Sequence, residues 1–143
     1  MHRHITRLAL VLPSILILAV VIRSQTALAN AGNPGESMLR TVLTGPAIKG
    51  VRPVGESEYD SYTNRSGRTI AALEVETLNV NLTNGSVLTV KLNGTTVGNM
   101  TVRNRKAAIL FSSDRGVKIP PAAPGDRISL YDSTGKAILS GTY

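Results

Sequence analysis

From Met38 to Tyr143 apolar and polar positions alternate with a period of two, in short runs separated by turn residues, which predicts half-buried β-strands. Ser86 to Leu92 places Leu88, Val90 and Leu92 on one face and Val87, Thr89 and Lys91 on the other. Asn93-Gly94 follows, then Thr95 to Val102. Asn and Gly best tolerate the positive φ of a type I′ turn, so the stretch reads as a hairpin. Val97 falls out of phase with Met100 and Val102, which predicts a bulge near Gly98-Asn99.

Other runs follow the same rule: Met38 to Thr44, Val54 to Tyr62, Thr69 to Leu82, Lys106 to Ser113, Arg127 to Asp132 and Lys136 to Tyr143. In Thr69 to Leu82 the apolar phase moves from Leu73 and Val75 to Leu78, Val80 and Leu82, and a bulge at Glu76-Thr77 would reconcile them. Ser133-Thr134-Gly135 suits a hairpin loop with a Gly bulge. Pro120, Pro121 and Pro124 mark an irregular connection. No stretch of this region has helical spacing. Some seven to nine short strands predict an all-β domain, a single antiparallel β-sandwich, with a small Greek-key barrel as the alternative. Leu43, Leu73, Val75, Leu88, Val90, Leu110, Ile128, Leu130 and Leu139 are the expected core.

The first residues follow a different pattern. His2, Arg3, His4 and Arg7 give a basic start, Leu8 to Ile22 is apolar apart from Pro13 and Ser14, and Ala27-Leu28-Ala29 is a small-x-small cleavage pattern. This is the layout of a secretory signal peptide over residues 1 to 29. About 15 apolar residues reach about 22 Å as a helix, short of a hydrocarbon core of about 30 Å, so no stable membrane insertion is expected after cleavage. No cysteine follows the run to carry a lipid. Residues 30 to 37, rich in Gly, Pro and Asn, read as a flexible leader, and 38 to 143 as one domain. The expected location is periplasmic or extracellular.

Composition then narrows the chemistry. Both histidines lie in the leading segment and the chain has no cysteine, so residues 30 to 143 offer no His-based triad, thiol nucleophile, Cys/His zinc site, haem ligand or disulfide. No cofactor and no metal are expected. Removing Arg3, Arg7 and Arg23 lowers the net charge from +7 to +4. Glu56 with Glu58, and Glu74 with Glu76, could each share a strand face, and carboxylate pairs serve glycoside hydrolysis. With no Trp and five aromatic residues in the domain, however, a sugar-stacking platform is poor. Asp114, Asp126 and Asp132 read as turn residues rather than calcium ligands. The Asn-x-Ser/Thr triplets at Asn64, Asn81, Asn84, Asn93 and Asn99 read mainly as turn and strand chemistry.

The order of "LTGPAIKGVRPVGESEY" (43 to 59), "LEVETLNVNLTNGSVLTVKLNG" (73 to 94), "VKIPPAAPGDRISLYD" (117 to 132) and "ILSGTY" (138 to 143) resembles exported all-β proteins of environmental bacteria that have no assigned role. Its opening and closing pieces are similar to chordin-type (CHRD) domains, which start with a Leu-x-Gly element and end near a Gly-x-Phe/Tyr strand. The central His-x-His element of that family is absent, so no histidine-based role carries over. The resemblance implies a fold and an exported location.

The sharpest charged feature is Arg103-Asn104-Arg105-Lys106. Arg103, Arg105 and Lys106 are the candidate ligand-binding residues, a polyanion patch that Lys91 or Arg115 would extend; as a solvated loop they would equally discourage edge-to-edge aggregation. The expected function is an exported, non-catalytic interaction or structural module with a protein or envelope-polysaccharide partner. The alternatives are a weak polyanion or carbohydrate-binding module and, further off, a carboxylate-dependent hydrolase. Export, modest charge and few aromatics argue against nucleic acid.

Overall fold

The computed structural model describes residues 36 to 143; the predicted signal peptide and all but the end of the predicted leader lie outside the described residues. Eight strands follow in chain order: β1 (Ser37–Thr44), β2 (Val54–Thr63), β3 (Thr69–Leu78), β4 (Val87–Leu92), β5 (Thr95–Thr101), β6 (Ala107–Ser112), β7 (Arg127–Tyr131) and β8 (Ala137–Thr142). A single 3₁₀ turn, Ser113–Arg115, follows β6. The all-β class, the antiparallel pairing and the strand positions agree with the sequence pattern. Ser37, assigned to the leader by sequence, opens β1, and its hydroxyl meets that of Ser61 at 2.8 Å.

All eight strands belong to one sheet in the order β5-β4-β7-β8-β1-β2-β3-β6, every neighbouring pair antiparallel. Two places in this circuit are thin. Between β8 and β1 the ladder has one registered pair, Thr44 with Ser140, supplemented by the Thr41 hydroxyl donating to the Thr142 carbonyl at 2.8 Å. Between β5 and β6 there is no ladder beyond the bridge of Arg103 with Lys106 at their connecting turn. The sheet thus folds into two four-stranded halves, β1-β2-β3-β6 and β5-β4-β7-β8, an arrangement between a sandwich and a closed barrel.

The open seam is filled by side-chain packing. Phe111 of β6 lies across Gly98 of β5, where an added Cβ would sit 2.4 Å from the ring. Only glycine admits the ring at that distance. The bulge predicted near Gly98-Asn99 falls one residue earlier: Val90 pairs with Gly98 and Lys91 with Thr96, leaving Val97 as the extra residue.

Leucine and valine from both halves meet inside, with Leu43, Leu73, Val75, Leu88, Val90, Ile128, Leu130 and Leu139 all buried. Leu110 is the correction to the expected core, for it is 49% exposed. In β6 both alternating phases are apolar, and Ala107 and Phe111 take the buried one. The predicted bulge at Glu76-Thr77 does not form either. β3 keeps one phase through Leu73, Val75 and Thr77, then leaves the sheet at Asn79, whose φ is 60°. Leu78 therefore faces outward, while Val80 and Leu82 reach the core from the loop that follows.

Among the described residues every buried polar side-chain atom has a hydrogen-bond partner. The Thr77 hydroxyl bonds both the amide and the carbonyl of Ala107 at 3.1 Å. The Ser57 hydroxyl donates to the Glu74 carbonyl at 3.1 Å and lies 2.6 Å from the Tyr143 hydroxyl, which must therefore be the donor in that pair. The irregular segment between the 3₁₀ turn and β7 packs Val117, Ile119 and Ala122 against the core.

Leu88→Ala and Leu130→Ala are each expected to cost about 2–5 kcal/mol in chemical denaturation, and Leu110→Ala no more than about 0.5 kcal/mol. A second expectation concerns alkaline pH. Burial pushes the Tyr143 phenol up to about 12. The folded state then holds a proton that the unfolded chain releases near pH 10. Stability should be fully present below about pH 10 and fall as the pH rises toward 12, by up to about 2–3 kcal/mol. Urea unfolding at a series of alkaline pH values should show this decline in the wild type and a shallower one in Tyr143→Phe.

Candidate functional site

Because every neighbouring pair of strands is antiparallel, successive loops alternate between the two ends of the sheet. The β1–β2, β3–β4, β5–β6 and β7–β8 loops share one end. Lys49, Arg52, Arg103, Arg105, Lys106 and Lys136 all stand on these loops, and all are exposed. The one carboxylate there, Asp132, is occupied locally: it accepts the amides of Thr134 and Lys136 at 2.9 and 3.0 Å and the Thr134 hydroxyl at 2.6 Å. These bonds, the Thr134 hydroxyl's first, hold its carboxyl below the usual range. The end is therefore strongly positive.

The loops of this end are tied to one another. The Asn104 amide donates to the Asn84 side chain at 2.7 Å, the Val80 amide to the Arg105 carbonyl at 2.9 Å, and the Asn81 side chain to the Ile48 carbonyl at 3.3 Å. Arg103 and Lys106 close a two-residue turn in which Asn104 and Arg105 have φ of 50° and 63°. Positive φ at both central positions is the geometry that Asn-Gly fills without strain, and an arginine there is unusual. The three sequence-derived candidates, Arg103, Arg105 and Lys106, thus sit together on a braced turn.

The expected extensions are not part of that group. Arg115 follows β6 at the opposite end of the sheet. Lys91 lies on the outer wall of β4, toward the Asn93-Gly94 turn, with its ammonium 5.0 Å from the centre of the Tyr131 ring. In their place the fold supplies Lys49, Arg52 and Lys136, which sequence reasoning missed. The signal lies in the alternation of loops, since with strands consecutive in the chain running in opposite directions every second loop returns to the same end.

A second charged feature covers the outer wall of β1-β2-β3-β6. Register places Glu56 opposite Glu76 and Glu58 opposite Glu74, a square of four carboxylates, with Asp60 in the next row. Arg40, on β1, is the cation beside them, 3.1 Å from Glu56 and hydrogen-bonded through Nε to Glu58 at 2.9 Å. The Glu58 hydrogen bond raises the Arg40 pKa, while burial first and Glu58 second raise that of Asp60. Like charges directly opposite across a sheet are destabilising. The two pairs noted in the sequence, Glu56 with Glu58 and Glu74 with Glu76, share this face, but Glu74 and Glu76 are exposed and the depression that the four line with Arg40 is shallow. Met38, Val42, Tyr62, Leu78 and Leu110 stand exposed on the same wall.

The remaining acidic candidates serve turns. Asp126 accepts the Ala123 amide at 2.8 Å, and Asp114 bonds the Ser112 hydroxyl. Among the described residues no group of three or more His, Cys, Asp or Glu side chains is placed to hold a metal ion. Several asparagines of the Asn-x-Ser/Thr triplets brace loops: Asn64 accepts the amides of Ser66 and Arg68, Asn93 accepts that of Arg127, and Asn81 and Asn84 join neighbouring loops.

No protein-family model matches the chain, and neither a curated protein nor a solved structure is similar to it.

The strain at Arg105 gives a direct test. Arg105→Gly is expected to raise stability by about 0.5–1 kcal/mol, because glycine accepts the positive φ. A denaturation midpoint lower than that of the wild type would mean that the arginine side chain contributes more to the fold than its backbone costs.

Proposed function

We propose that the protein is an exported, non-catalytic β-domain that binds an anionic polymer, such as an acidic envelope polysaccharide, through its basic end. The observation that carries this reading is the gathering of Lys49, Arg52, Arg103, Arg105, Lys106 and Lys136 on four loops at one end, with the single carboxylate there bound to its own turn. A repeating anion meets several such groups at once, so weak contacts add. The strained arginine supports the same reading, since local strain concentrates where a side chain is held for use.

The non-catalytic part of this reading is supported by composition and by the setting of the carboxylates. The domain has neither histidine nor cysteine, and its one cluster of carboxylates lies on an open sheet wall without a flanking tryptophan. Export rests on the basic start, apolar run and Ala27-Leu28-Ala29, and on the resemblance to exported all-β and CHRD-type domains. Among the described residues no helix is long and apolar enough to cross a membrane.

The test is titration of the purified protein with dextran sulfate and with alginate at low and at physiological salt. Binding should weaken with salt. Replacing Arg103, Arg105 and Lys106 together by Ser should weaken it about a hundredfold or more at low salt, at about 1 kcal/mol for each basic group near an anionic surface. Arg65→Ser with Lys118→Ser, at the opposite end, should leave it unchanged. Failure of both polymers to bind at low salt, or equal losses from the two ends, would overturn the reading.

A further inference from the structure

The outer wall of β1-β2-β3-β6 differs from the rest of the surface in two independent ways. It carries five of the protein's nine carboxylates, Glu56, Glu58, Asp60, Glu74 and Glu76, against Arg40 alone. It also carries five of the six large apolar side chains that are exposed among the described residues, Val42 the most open at 63%. The outer wall of the other half presents Thr89, Lys91, Asn99 and Tyr131 at comparable register positions, hydroxyl, amide and ammonium groups without a carboxylate. A wall that is both acidic and apolar is well suited to a cationic surface with some apolar content.

Such a surface exists on the same molecule. The basic end presents its six cations together with exposed Pro46 and Ala47, and the half-buried Ile48 and Val51, on the β1–β2 loop. We infer that the acidic wall of one copy receives the basic end of a second copy, so that the protein associates head to tail. The inference goes beyond the polyanion reading and uses the same basic end in another contact. The two surfaces face about a right angle apart, one along the strands and one across them. The contact is therefore heterologous: each copy that docks leaves its own wall free, and repetition yields a series of oligomers or a ring rather than a closed two-fold dimer.

The size of the wall sets the strength. Four strands about 4.8 Å apart and five outward rows about 7 Å apart give a patch of roughly 20 by 30 Å, at the low end of specific interfaces when both partners are counted. With most of its attraction between exposed charges, the contact weakens steeply with salt.

Sedimentation velocity on the purified protein, with no polyanion present, tests this separately from the proposed function. At low ionic strength the weight-average mass should rise with concentration past that of a dimer, and at about 0.5 M salt, where the screening length is roughly 4 Å, it should return to the monomer. Glu56→Lys with Glu76→Lys brings the formal charge of the wall from −4 to zero and should abolish association, as should Arg103→Glu with Arg105→Glu at the end. Each variant keeps one intact surface, so an equimolar mixture should form a one-to-one dimer and stop there. That recovery also shows both variants to be folded; should the lysine variant fail to fold, Glu56→Gln with Glu76→Gln serves in its place. A protein that stays monomeric at low salt, a closed dimer in the wild type, or association that survives either variant would overturn the proposal.

Discussion

The seam between β5 and β6 governs the architecture. A sheet of eight strands must either expose two edges or bring them together, and exposed edges invite pairing with other chains. Here the two edge strands follow one another through a tight turn, and Phe111 against the bare backbone of Gly98 holds them in register without a ladder. A side chain at Gly98 would push the ring out, part the strands and open the interior. The bulge at Val97 lies beside the same contact, with the extra residue just before the glycine, and a bulge bends its strand. What the backbone does not pair at this seam, an aromatic ring covers.

Closure of this kind also sorts the surface. Once strands that follow one another in the chain run in opposite directions, the loops divide into two sets by position in the chain alone, and one set holds six of the twelve exposed cations among the described residues. The carboxylates are sorted by a different rule, the alternation of faces along β2 and β3, which sends every second residue of each strand to one wall. A single fold thus converts scattered charges into one basic end and one acidic wall. The price is local strain at Arg105 and like charges opposed across β2 and β3.

The sequence disclosed most where information is local. Asn93-Gly94 and Ser133-Thr134-Gly135 announce hairpins because their backbone needs are met by few residues, and Leu88, Val90 and Leu92 show their buried face by alternation alone. It misled where both phases are apolar, as at Leu110 beside Ile109 and Phe111, for periodicity cannot choose between them. At Val80 and Leu82 burial comes from a loop that caps the end of the core, so extending β3 to include them was the wrong inference from a correct observation. The acidic square and the full basic end depend on strand register and strand order, which are long-range properties. Lys49, Arg52 and Lys136 lie far from Arg103 in sequence and become its neighbours only at the level of the fold.

One further consequence follows from how the two halves are assembled. The first half takes β1, β2 and β3 and then reaches past β4 and β5 for β6; the second is completed only by β7 and β8. No single cut in the chain releases an intact half. The domain is indivisible: it cannot be shortened to a working four-stranded piece, and neither layer can form ahead of the other from a contiguous stretch. Each half can begin as local hairpins, β1-β2-β3 in one and β4-β5 with β7-β8 in the other, but the pairings of β3 with β6, β4 with β7 and β1 with β8 join segments distant in the chain, and such long-range pairing slows folding.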